Sequence, residues 1–280
     1  MQESVKKELQ KHACNIRIGI IEAVHSAKSG HPGGSLSIAD LLSYLYFSEM
    51  RVDPNRPKDE NRDRLVLSKG HCSPGLYAAL AEKGYFPAEE LKTFRHIGSR
   101  LQGHPDMKGV PGVDMSSGSL GQGISAACGM ALGAKVLGKD YRVYAILGDG
   151  ECEEGQVWEA AMFAGHKKLD NLCAIVDWNG LQIDGTLDEV CSPLPLDKKF
   201  EAFGWNVICI DAHDFEQYET AFSAARDCKG KPTVIIQKSI KGKGVSFMEN
   251  SVSWHGAAPN DEQYETAMCE LKHAYAGLEA

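Results

Sequence analysis

The sequence predicts an α/β domain, a parallel β-sheet flanked by helices on both faces. Three observations predict it. Short Val- and Ile-rich runs alternate with longer stretches of helical period through the whole of the 280 residues. The short runs are apolar throughout, as in strands buried on both faces. No repeat or low-complexity linker interrupts the alternation, so one large domain with a substantial core accounts for the length.

The elements follow in order. Residues 3–28 carry Ile16, Ile20, Ile21 and Val24 at helical spacing, and SIADLLSYLYF (37–47) reads as a second amphipathic helix. The first strand is RLVLS (64–68), and a helix is predicted over 73–83. A helix over 119–137 precedes the strand RVYAIL (142–147), and one over 153–168 leads to the strand LCAIVD (172–177). Then come the strand NVICI (206–210), a helix over 213–228, the strand PTVIIQ (232–237) and a last helix over 261–276. Ligands of such sheets bind outside the carboxyl ends of the strands, which directs attention to the turns that follow them.

Composition narrows the function classes. A hydrophobic fraction of 43% with 24% charged residues is ordinary for a water-soluble domain. No apolar stretch approaches the ~20 residues that span a bilayer, and MQESVKKELQ at the start lacks the apolar core of a signal peptide; a cytoplasmic protein without membrane contact is expected. Nine cysteines, an odd number without a C-x-x-C pair, fit reduced thiols and are too scattered for a zinc site. The net charge of -8 argues against nucleic-acid binding, and the basic stretch KSIKGKG (238–244) is too short to change that.

The turn after the second predicted strand, GDGECEEG (148–155), is unusually acidic. On its own it reads as a strand-to-helix turn whose acids favour the helix N-terminus. Rival phosphate motifs fail: there is no G-x-x-x-x-G-K-[ST], and GSLGQG (118–123) has its glycines in the wrong order for G-x-G-x-x-G. The next strand shifts the reading, because LCAIVDWNG places Asn179 one helix and one strand after Asp149. If those strands are neighbours, a carboxylate, an amide oxygen and a free carbonyl emerge together. These are hard ligands for a small divalent cation, and such a cation can bridge an acidic turn to a phosphate. Glu151 and Glu153 are expected to be a solvated helix start, and Cys152 a small residue tolerated in the turn.

Four of the ten histidines lie in glycine-containing turns: His31 in GHPGG, His71 in KGHCS, His104 in GHPD and His255 in WHGA. Uncharged imidazoles both donate and accept, which suits a polyhydroxylated substrate and proton transfer.

GDG followed by Asn at this distance is the diphosphate-binding fingerprint of thiamine-diphosphate enzymes. With SGHPGGSLS, LSKGHCSPGLYAAL, QGHPD, SSGSLGQGIS and KFEAFGWNV in the same order, the chain resembles transketolase through nearly its whole length. One departure is Trp178 before Asn179, where many relatives carry Asn or Asp. The resemblance implies the thiamine-diphosphate-binding fold, thiamine diphosphate as cofactor, and Mg2+, or Ca2+ or Mn2+, held by Asp149, Asn179 and the Leu181 carbonyl. It implies that Asp149, Gly150, Asn179, His71, His255, Gly118, Leu120 and Gly121 bind the cofactor. Gly118 and Gly121 read equally well as a helix-start turn. His31, His104 and His255 are implied to face the sugar, and Glu154 to lie at a dimer interface near the glutamate that activates the cofactor.

The reaction implied is two-carbon ketol transfer between sugar phosphates, in the manner of the pentose phosphate pathway, with the cofactor supplying the electron sink. Complete transketolases are roughly twice this length, and the matches here cover only the diphosphate-binding domain; a further domain usually needs ~150 residues. Residues 1–280 are therefore expected to be the amino-terminal subunit of a split enzyme. A carboxy-terminal subunit would bring the pyrimidine-binding domain and most sugar-phosphate contacts, two copies of each forming a heterotetramer. Two alternatives stay open: a subunit of another thiamine enzyme, such as a deoxyxylulose-phosphate synthase or a 2-oxoacid-processing enzyme, and a non-catalytic cofactor-binding module.

Overall fold

A computed structural model describes residues 1–279. Among them, strands β1 (Arg64–Leu67), β2 (Val143–Gly148), β3 (Leu172–Trp178), β4 (Asn206–Asp211) and β5 (Thr233–Lys238) form one sheet in the order β1-β2-β3-β5-β4. Every pairing is parallel. Parallel neighbours cannot be joined by a tight turn, so helices fill the crossovers. The helices, of which α4 to α9 lie between strands, are α1 (Glu3–Ala27), α2 (Pro32–Leu36), α3 (Ala39–Tyr44), α4 (Ser73–Lys83), α5 (Gln122–Val136), α6 (Gly155–His166), α7 (Leu187–Val190), α8 (Leu196–Ala202), α9 (Phe215–Asp227) and α10 (Asp261–Glu279).

Side chains alternate across each strand, and this alternation divides the core in two. Tyr144, Ile146, Cys173, Ile175 and Ile235 pack with α1, α3, α4, α9 and α10. Val143, Ala145, Leu147, Ala174, Val176 and Val234 face the opposite layer of α5, α6 and α8.

Three expectations are corrected. The 37–47 segment is not one amphipathic helix: α2 and α3 are separate, and a π-helical turn follows at Leu45–Glu49. At the break the Ser37 hydroxyl lies 3.0 Å from the Gly34 carbonyl oxygen and donates to Asp177 at 2.6 Å, tying the chain to β3 where a continuous helix would otherwise run. Residues 32–46 are also buried all round, so no polar face exists. The third correction is β4, an edge strand with only β5 beside it, whose Asn206, Val207 and Ile208 are half-buried and Cys209 exposed. Helix α8 and the short α7, the latter started by a Thr186–Glu189 capping box, lie where no helix is predicted.

Candidate active site

β2 and β3 are neighbours, with Gly148 opposite Asp177, so Asp149 and Asn179 leave the sheet side by side. Asp149 joins the two turns: its carboxylate accepts from Gly150 N–H at 2.9 Å and from Gly180 N–H at 2.6 Å. Asn179 Oδ1 accepts from Leu181 N–H at 3.1 Å, while its amide donates to Asp177 at 3.2 Å. The Leu181 carbonyl accepts from Lys241 Nζ at 3.0 Å. These oxygens border a cavity of about 400 Å³.

The structure brings most of the sequence-derived site residues onto the walls of this cavity: His31, His71, Gly118, Leu120, Asp149, Gly150, Glu154, Asn179, Leu181 and His255. Two stand behind the walls. Gly121, in left-handed backbone at φ 82°, starts α5 and donates its N–H to Glu151, so that N–H is not free for a ligand. His104 lies behind Gly118, where an added Cβ would meet its ring at 3.1 Å. Glu154 is exposed on the rim.

Three histidines from distant turns meet at one point. The His31, His71 and His255 ring centroids are 5.2, 5.4 and 5.5 Å apart. Burial, reinforced by neighbouring cationic groups, lowers His31 and His71 to about 4 and His255 to about 3. They are neutral at pH 7. Burial lowers His104 as well, with Arg95 and His71 adding to the effect. The His31 Nδ1 is buried without a hydrogen-bond partner, a polar atom left for a ligand.

Lys69 and Lys241, to which the sequence assigned no site role, line the cavity, with Asp177 buried against Lys69. Asp177 is fully buried and accepts from Lys69 at 2.7 Å, Ser37 and Ser239 at 2.6 Å, Gln237 at 3.0 Å and Asn179. Burial opposes both charges of the Lys69–Asp177 pair, but their attraction outweighs it, raising Lys69 to about 12 and lowering Asp177 to about 2. The signal in the sequence was a carboxylate ending an otherwise apolar strand. Glu151 corrects the expectation of a solvated helix start: it is buried and accepts from Gly121 N–H at 2.9 Å, Gly148 N–H at 3.0 Å and the Ser68 hydroxyl. Its side chain folds back three residues onto its own turn, and burial raises its pKa. Glu153 is half-buried and accepts from Gln182 at 2.8 Å. Cys152 is buried in the core. Lys241, from the stretch KSIKGKG, is also buried, and burial lowers it to about 8.

The donor set fits a hard cation. The Asp149, Asn179 and Leu181 oxygens each hold one or two N–H donors and keep lone-pair capacity, and the Leu181 carbonyl already accepts from a cationic ammonium. Burial, with the Asp177 charge, raises Asp149 to about 6, a cost that a cation would reverse. Among the described residues no group of three or more His, Cys, Asp or Glu side chains gathers as a metal cage, so the amide and the backbone carbonyl are needed to complete the set.

Such oxygens, beside neutral imidazoles at the carboxyl end of a parallel sheet, define an α/β domain suited to a cation-bridged phosphate cofactor. The chain belongs to the transketolase family: residues 9–276 match the family model described as transketolase, thiamine diphosphate binding domain. It is similar to the 6-deoxy-6-sulfo-D-fructose transketolase subunit SqwG of Clostridium sp. (strain MSTE9), 48% identical over 95% of this chain and 96% of that relative. It is similar also to an apulose-4-phosphate transketolase subunit of Phocaeicola vulgatus, 44% identical over 93% of this chain and 92% of that one. Against the crystal structure of Campylobacter jejuni transketolase the TM-score is 0.90 at 33% identity, covering 99% of this chain and 46% of that one. The chain thus spans less than half of the solved transketolase but nearly all of the two subunits.

Proposed function

We propose that this chain is the amino-terminal, diphosphate-gripping subunit of a two-chain transketolase, moving a two-carbon ketol unit from a ketose to an aldose. The observation that carries the reading is the convergence of Asp149, Asn179 and the Leu181 carbonyl beside the histidine trio, in one cavity at the ends of β2 and β3. When bound, thiamine diphosphate supplies the electron sink for the two-carbon unit. Asp149, Asn179 and Leu181 would hold Mg2+. His71 and Lys241, with the backbone at Gly118, Leu120 and Gly150, would hold the diphosphate.

His31 and His255, uncharged at working pH, accept and donate hydrogen bonds to sugar hydroxyls and can carry a proton to or from them. His104 serves the sugar from behind Gly118. Glu154, on the exposed rim, faces the side from which a partner would close the site. The partner in this reading is a separate chain with the pyrimidine-binding domain, two copies of each forming a heterotetramer in the cytoplasm. Among the described residues no helix is long and apolar enough to cross a membrane. The two subunit relatives are named for 6-deoxy-6-sulfo-D-fructose and for apulose 4-phosphate, so the donor need not be an intermediate of the pentose phosphate pathway.

The test is ketol transfer with thiamine diphosphate and Mg2+, using this chain alone and then mixed with the product of the adjacent open reading frame. Donors are xylulose 5-phosphate, 6-deoxy-6-sulfo-D-fructose and apulose 4-phosphate, and ribose 5-phosphate is one acceptor. Turnover only in the mixture is expected. Full turnover by this chain alone would refute the division of the site between two chains.

A further inference from the structure

We propose that His213, which lies outside the cavity, is a positioning residue that holds Lys241 against the Leu181 carbonyl through the backbone of Ile240. The inference rests on reading that cavity as a diphosphate and cation site. His213 sits in the turn between β4 and α9. Its Nε2 is 3.1 Å from the Ile240 nitrogen, and a backbone N–H can only donate. Nε2 therefore carries no proton, and the ring hydrogen sits on Nδ1, donating to Asp40 Oδ2 at 2.7 Å.

Asp40, buried on α3, is itself fixed by Arg17 of α1, which donates through both terminal nitrogens at 3.0 and 2.7 Å. The same guanidinium donates from Nε to the Lys243 carbonyl at 3.0 Å. One carboxylate thus orients two side chains that grip the backbone on either side of Lys241, His213 at residue 240 and Arg17 at residue 243. The grip is close: a Cβ added at Gly244 would lie 2.8 Å from Arg17 Cδ. From the opposite side Gly242 N–H donates to the Gly33 carbonyl at 2.9 Å.

Lys241 crosses from this clamped segment into the cavity, 2% exposed, with Nζ 3.0 Å from the Leu181 oxygen and 2.9 Å from His255 Nδ1. Burying an ammonium forfeits its hydration, and a long flexible side chain returns to water when its backbone allows. The clamp removes that freedom. A residue that merely braces α1, α3 and α9 would instead act on stability without acting through Lys241.

Two measurements on the full chain separate these roles. Hydrogen exchange without ligand reads the first link: in His213→Ala, peptides containing Ile240 and Lys241 exchange about tenfold faster or more, while those of β2 and β3 do not change. His213→Gln, which restores an acceptor near the Nε2 position, returns exchange toward the starting rate. Affinity for thiamine diphosphate with Mg2+, followed by tryptophan fluorescence, reads the second. His213→Ala and Lys241→Met each weaken binding about tenfold or more, and the double variant binds no worse than Lys241→Met. Unchanged exchange at 240–241, or additive losses of affinity, overturn the proposal alone. A failure of the unaltered chain, with its partner present, to bind cofactor overturns the cavity reading and the proposal with it.

Discussion

In the proposed function Asp149 serves the cation and His104 the sugar, and single substitutions separate the two roles. Asp149→Ala deletes a proposed cation ligand while the sheet and both cores remain, so Mg2+-dependent cofactor binding is expected to be lost with far-ultraviolet circular dichroism unchanged. Unaltered affinity by calorimetry would remove Asp149 from that role. His104→Ala leaves the oxygens around Asp149 in place, so turnover falls with little change in cofactor affinity; this group effect is typically about 10²-fold or more. His71 makes a prediction about pH. Its folded value of about 4 lies below the 6.5 of an unburied imidazole. Between these values the unfolded chain binds the extra proton, so stability falls as pH drops from about 6.5 toward 4. The urea midpoint of the ligand-free chain is expected to fall between pH 7 and pH 5, and to fall less steeply in His71→Gln. Equal slopes would mean that the ring is not held neutral by its surroundings.

Two helical glycines on the same layer of the molecule have opposite surroundings. An added Cβ at Gly133 in α5 meets nothing within 4 Å, so Gly133→Ala is expected to stabilise the chain by about 0.5–1 kcal/mol through helix propensity. At Gly165 in α6 the added Cβ would fall 2.0 Å from the Phe203 carbonyl oxygen, so Gly165→Ala must push α6 off the turn after α8, costing about 1–3 kcal/mol. Urea denaturation measures both. That contact also explains part of what the sequence concealed. Helix α8 is too short to display a helical period, and it is held by tertiary contacts: Phe200 packs on Trp158 at 5.1 Å, and Trp205 donates to the Ala161 carbonyl at 2.9 Å.

At the scale of the whole molecule, a ligand that binds only the folded chain raises its melting temperature by mass action. Thiamine diphosphate with Mg2+ at about 100 times its dissociation constant contributes about 2.7 kcal/mol, an increase of several degrees for a domain of this size. EDTA is expected to abolish the increase, and a shift that survives chelation would count against a cation bridge. The five strands, the Asp149 and Asn179 turns and the histidine-bearing loops were all legible in the sequence, because strand and helix periods and turn chemistry are local signals; that those two turns are neighbours was a condition that only the sheet order met. Family membership was legible too, since its motifs keep their order along the chain. Tertiary structure decided the rest. In the strand order β1-β2-β3-β5-β4, the fifth strand enters between the third and fourth, and no local period encodes that insertion. The insertion lays the segment after β5 beside the turn after β3, bringing Lys241 to Leu181 and His255 to His31 and His71. It is likewise burial by remote neighbours, absent from any local window, that makes Glu151 a buried tie between loops and keeps the histidines uncharged.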